Sequence, residues 1–182
     1  QFYFTPTVVN TGAELVLFDT GLAPEGTVAA LSAAGYTPDQ VDVVVLTHIH
    51  PDHIGGMMTG DAATFANARY VTGAIEHNHW MGAANENFDK LVKPLNDKIT
   101  MIDDAGAAAS GITGMAAFGH TPGHMVYMVE SDGQRLAITA ATANHYICSL
   151  AHPDWEVKFD ADKPAAAAAR TAWRDMRISP IA

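Results

Sequence analysis

THIHPDHIGG, residues 47–56, packs three histidines and an aspartate into the six positions from His48 to His53. The run VDVVVL (residues 41–46) precedes it and a glycine pair ends it. An apolar, β-branched run of this length reads as a strand buried on both faces. Chemistry placed at the carboxyl end of such a strand has its first residues fixed by the sheet, while the rest fan out in a loop. His48 and His50 are two apart, so an extended strand end turns both imidazoles to one side. Pro51 then bends the chain, and Asp52 and His53 face a second position beside the first. Imidazole and carboxylate donors in this arrangement suit zinc, and also manganese, iron or cobalt.

A site of this kind needs a further ligand from elsewhere in the chain. The stretch FGHTPGHMVYMV (residues 118–129) offers His120 and His124 in a turn between two strand-like runs. Spacing alone does not choose between them.

The rest of the chain narrows the function classes. At 182 residues it fits one domain with a proper core. Twenty acidic residues against ten basic ones leave a net charge of −10. Such a surface repels phosphate backbones and argues against a nucleic-acid partner. No run reaches the ~18 apolar residues that a membrane span needs. The opening QFYFTPTVVNTG lacks a signal peptide's basic start and cleavage site; it reads as a strand already under way, so the expectation is that upstream residues are absent. The compartment, cytoplasmic or periplasmic, stays open. Cys148 is the single cysteine, which excludes an internal disulfide, and its apolar surroundings predict a small buried side chain.

Strand and helix signals interleave. Residues 2–9 and 14–18 read as a hairpin, and 24–34 as a helix that starts at Pro24 and stops at Gly35. Gly55 and Gly56 open a short helix, 69–72 is a strand, 74–95 is helical and 103–114 is loop. MAAF, MVYMVE and RLAIT are strands, and Asp162 with the alanine run 165–169 starts a helix reaching Met176. His77 and His79 read as solvated surface histidines, Trp80 as a core aromatic. The class is mixed α and β.

Three stretches together, LVLFDTG (15–21), THIHPDHIGG (47–56) and GHTPGH (119–124), resemble the metallo-β-lactamase fold hydrolases. The wider wording, with TPTVVNTG in front and ANHY later, is most similar to the branch containing methyl parathion hydrolase and the N-acyl homoserine lactonases. The resemblance implies an α+β fold, a four-layer αββα sandwich, over a single domain 1–182, with the site at one edge between two sheets. It implies that His48, His50 and His120 bind a first zinc and that Asp52 and His53 bind a second. Asp19 would steady the metal loop and His124 would brace rather than bind. The activity implied is hydrolysis of an ester, lactone or phosphotriester by a metal-bound hydroxide. Asp52, beside the leaving group, would be the catalytic residue that passes a proton. The partner is then a small molecule, and a homo-oligomer through the apolar FYF end is left open.

The chain departs from the family pattern in three places. The aspartate that bridges both metals corresponds to Ala141, in ITAATANHY. No histidine follows His152, where the family has a last ligand beyond a helix like 163–176, so a C-terminal portion is expected to be missing. The lactonases' tyrosine falls on Asn144, followed by His145 and Tyr146, which would line the pocket or serve structure. Two rivals follow. One is a glyoxalase II-type thioesterase, which would bring a basic patch. The other is a catalytically degenerate binding module of the same fold.

Overall fold

The computed structural model describes residues 4–145 and 147–176. Two sheets face each other. The first is five-stranded, in the order β1 (Thr7–Asn10), β2 (Leu15–Phe18), β3 (Val43–Val45), β6 (Arg69–Gly73) and β7 (Ile99–Ile102). β1 is antiparallel to β2; the remaining pairings are parallel. The second is antiparallel, in the order β11 (Gln134–Ile138), β10 (Met125–Ser131), β9 (Ile112–Ala116) and β8 (Ala107–Ala109). A two-stranded ribbon, β4 (Met58–Thr59) and β5 (Ala62–Ala63), stands apart.

Side-chain alternation explains why the central strands read as continuous apolar runs. Val16, Phe18, Val43, Val45 and Val71 point between the sheets, onto Ile112, Met125 and Tyr127. Their neighbours Leu15, Leu17, Val44, Leu46 and Tyr70 point the other way, under Leu31 of α1 (Pro24–Ala33) and under Phe88, Val92 and Leu95. A strand serving two cores has no polar face. This is the sandwich of an αββα fold. On the far side, α5 (Lys163–Asp175) packs on the 140–143 turn and on α4 (Cys148–Ala151). Asp162 caps α5, its carboxylate accepting from Ala165 N at 3.0 Å.

Several boundaries differ from the sequence reading. The short helix α2 is Pro51–Ile54 and precedes the glycine pair. Gly55 and Gly56 serve a close approach instead, since a Cβ on either would strike the backbone carbonyls of Leu22 or Thr20. The pair lets the 19–22 loop lie directly on the histidine loop. The helix expected over 74–95 is broken into α3 (Ala74–Gly82), a wider π-helical turn over Phe88–Val92 and a tighter 3-10 turn over Lys93–Lys98. Residues 103–114 hold β8 and the start of β9 rather than loop alone. Cys148 is exposed, not buried, because α4 is a single surface turn. His77 is buried, its Nε2 within 3.0 Å of Asn96 Oδ1 and its ring against Phe88, so it is no solvated surface histidine. His79 is exposed, as expected. Phe2, Tyr3, Tyr146 and the last six residues lie outside the described part, and with them most of the FYF end. Among the described residues no helix is long and apolar enough to cross a membrane.

Candidate metal centre

Three adjacent parallel strands deliver the site from their carboxyl ends. Asp19 follows β2 directly, Thr47 and His48 follow β3, and Glu76 lies three residues beyond β6. The second sheet contributes the 119–124 turn between β9 and β10, tied across by Met125 N donating to Thr47 O at 2.9 Å.

The structure brings His48, His50 and His120 together, with one ring nitrogen of each within 4.8 Å of the others. His50 Nδ1 and His120 Nε2 face each other at 3.1 Å. His48 Nε2 is buried and has no hydrogen-bond partner among the described residues, and the same holds for His124 Nε2. A buried, unpaired imidazole nitrogen costs about 1–3 kcal/mol. A cation among the three histidines removes that cost, since each nitrogen then has a bond to make. The residues present therefore fit a metal ion.

Supporting contacts set the tautomers. Asp160 Oδ1 accepts from His120 Nδ1 at 2.9 Å, which leaves Nε2 with its lone pair inward. Asp19 works on two histidines. Its Oδ2 accepts from His53 Nδ1 at 2.8 Å and from Thr47 Oγ1 at 2.9 Å, and that hydroxyl lies 3.0 Å from His48 Nδ1. Asp19 Oδ1 takes Thr47 N at 2.8 Å. The carboxylate is aimed by a left-handed backbone, φ 58°, a conformation that persists only where its surroundings hold it. His53 Nε2 faces Asp52 Oδ2 at 3.5 Å, so the two residues expected at a second position do meet, on the cleft side of the triad. His124 is fully buried behind the triad, its ring 4.9 Å from that of His48 and its Nδ1 3.4 Å from Thr142 Oγ1.

The cleft in front has a volume of about 1010 Å³. His50, Asp52, His53, His120 and Ala141 share its walls, and Phe4, Leu22 and Phe159 stand exposed at its rim. Trp80 packs on the core, as expected, and also sets its ring 6.1 Å from His50. His145 takes the structural option: its Nδ1 accepts from Ile147 N and Cys148 N, capping α4.

Sequence reasoning missed Glu76, Asp160 and Arg170. Arg170 is buried and donates to Asp160 Oδ2 from both terminal nitrogens, at 3.1 and 3.2 Å. Its one signal is an arginine four residues after Ala166, on the buried face of an alanine helix. For Asp160, forty residues from His120, the sequence carries no signal.

Burial and the crowding of the other histidines hold His48 and His124 well below the ordinary histidine value of 6.5, and burial with His120 brings His50 down to about 4. His53 goes the other way: burial lowers it, but the charge and hydrogen bond of Asp19 and the charge of Asp52 outweigh this and raise it. The first three contribute stability that is full above 6.5 and is lost as pH falls from there through their lowered values, about 4 for His50. His53 contributes stability below 6.5 that is lost as pH rises through its raised value. Three groups against one decide the sign. Thermal unfolding of the zinc-free protein should show its midpoint falling between about pH 7 and about pH 5. A flat or rising midpoint would contradict this electrostatic picture.

Comparison with known proteins accords with this geometry. AidC, a dizinc quorum-quenching lactonase solved with a product, superposes with a TM-score of 0.82 at 26% identity, over 92% of this chain and 66% of that one. AbOPH, a hydrolase of the beta-lactamase superfamily, gives a TM-score of 0.84 at 25% identity, over 91% and 65%. A probable metal-dependent hydrolase from Staphylococcus aureus shares the fold at 19% identity and a TM-score of 0.76, over 91% and 67%. The chain thus spans 66% and 65% of the length of the first two. A search of curated proteins gives no match. The family signature of the metallo-beta-lactamase superfamily runs over residues 5–181, and with the triad and the facing sheets already in place, the chain belongs to that superfamily.

Proposed function

We propose that this chain is the core of a metal-dependent hydrolase that cleaves a small, neutral or weakly charged ester, lactone or phosphotriester. The observation that carries the reading is the convergence of His48, His50 and His120 from two sheets, with a buried nitrogen left for a cation. Those three would hold a first zinc, and Asp52 with His53 a second. A divalent ion there supplies Lewis acidity, polarising a carbonyl or phosphoryl oxygen and drawing the pKa of water towards neutrality. The chain's own residues do the rest. Asp160 and Asp19 keep the imidazoles in the tautomers that bind. Asp52, which lines the cleft, would hand a proton to the departing oxygen. Phe4, Leu22 and Phe159 at the rim favour an apolar substituent and shed water from it.

No lysine or arginine lines the cleft among the described residues, which disfavours a thioester carrying glutathione carboxylates. The dizinc lactonase AidC makes lactones the first substrates to try. Organophosphate triesters come next, since a Lewis-acidic ion would polarise a phosphoryl oxygen as it would a carbonyl.

Ala141 bears on how active this chain is. It sits 7% exposed on the wall shared with Asp52 and His120, after Ala140 at φ 45°, a strained backbone for alanine. We read it as standing where the family has its bridging aspartate. A carboxylate there would offset two nearby cations. Ala141→Asp should therefore raise bound zinc, measured by mass spectrometry of dialysed protein, and raise turnover across a panel of lactone, ester, thioester and phosphotriester by at least about 10-fold. Zinc content equal to that of the unaltered chain would place the bridging position elsewhere. Bound zinc with no turnover on any member of the panel would favour a binding module of the same fold, the reading that Ala141 itself invites.

A further inference from the structure

Glu76 stands outside the cleft walls. It is fully buried on the first turn of α3, where an isolated carboxylate is costly unless its oxygens are satisfied. Four donors satisfy it. Oε1 accepts from Ile49 N at 2.8 Å and from Trp80 Nε1 at 2.7 Å. Oε2 accepts from Thr121 Oγ1 at 2.7 Å and from Gly123 N at 2.9 Å.

The division between the two oxygens is the informative point. Ile49 lies between His48 and His50, on the loop from the first sheet. Thr121 and Gly123 follow His120, in the turn from the second sheet. Each oxygen therefore holds one of the two segments that must meet around a cation. Gly123 seats that turn on α3 itself, since a Cβ there would run into the Glu76 backbone. Hydrogen bonds to a carboxylate are about twice as strong as neutral ones, and here one side chain supplies them to both segments at once. We propose that Glu76 is a positioning residue that locks the His48–His50 segment and the His120 turn at metal-binding distance; this rests on the metal reading above.

Glu76→Gln is the sharpest variant. The amide keeps one acceptor oxygen and turns its NH2 group on the donors of the other segment, so it can hold one loop but not both. Zinc affinity of the full chain, by competition with a chromophoric chelator, should fall about 10- to 100-fold, and Thr121→Val, which removes one donor to Oε2, should fall less. Asn78→Ala, on the exposed side of the same helix, should keep the unaltered affinity. A purely structural Glu76 predicts otherwise: unfolding midpoints drop equally with and without zinc, and the folded protein's zinc affinity is unchanged. Unchanged affinity in Glu76→Gln overturns the clamp alone. If Glu76→Gln does not fold, Thr121→Val decides in the same way. If the unaltered chain binds no zinc, the metal reading fails, and the clamp with it.

Discussion

Replacing His48 with leucine is expected to abolish tight zinc binding while leaving the zinc-free fold as stable as before, or more stable. The two effects have separate causes. Losing a direct ligand costs more than the ~10- to 100-fold that supporting residues are worth. Two histidines, His50 and His120, cannot make up the difference. The zinc-free fold sees the opposite change. His48 Nε2 is buried and unpaired, which costs about 1–3 kcal/mol and disappears with the ring. Against this stands the lost contact with Thr47 Oγ1, worth about 0.5–1.5 kcal/mol at most. Leucine also removes a group that burial and its histidine neighbours keep from protonating, so the gain should grow below pH 6.5. Zinc content by mass spectrometry and urea unfolding in the presence of a chelator give the two readouts. A zinc-free variant weakened by more than about 2 kcal/mol would make His48 an ordinary, well-satisfied core histidine, since a change of shape in a tightly packed core costs about 1–3 kcal/mol.

The second large effect lies away from the cleft. Arg170→Met should destabilise the protein by about 3–5 kcal/mol, the usual result of leaving one partner of a buried ion pair behind. The side chains of Arg170 and Asp160 are 1% and 0% exposed, so water cannot take over. Arg170 also donates to Pro153 O and Trp155 O at 3.0 and 3.1 Å, which ties the 153–160 segment to α5. Asp160 in turn orients His120. The loss should therefore appear twice, in urea unfolding and in weaker zinc binding by the variant that remains folded. Adding Asp160→Leu to Arg170→Met should recover part of the stability, because no charge is then stranded, but none of the zinc affinity. Recovery of both would show that Asp160 does not act through His120.

These two variants mark how far a linear reading reaches. His48 and His50 were legible because a buried strand with one short loop is a local object. The spacing by itself aims two imidazoles to one side, whatever lies around them. The hairpin, the strand at β3, the cap at Asp162 and the alanine helix were legible for the same reason: their causes sit within a few residues. The glycine pair was misread because its cause is not local. Gly55 and Gly56 serve the approach of a loop more than thirty positions upstream, not the start of a helix. Cys148 and His77 were misplaced because burial depends on what covers a residue, and its sequence neighbours do not say.

The sequence by itself therefore determined the donor types, their grouping in two segments and the strands that carry them, since periodicity and spacing are short-range properties of the chain. Only the tertiary structure decided that the two segments meet, that Asp160 and Arg170 steady one from α5 and its approach, and that Glu76 bonds to both. The bonds of Glu76 to the two segments and of Asp160 to His120 join residues 27 to 47 positions apart across separate elements, and packing of two sheets is what brings such distant groups within hydrogen-bond range.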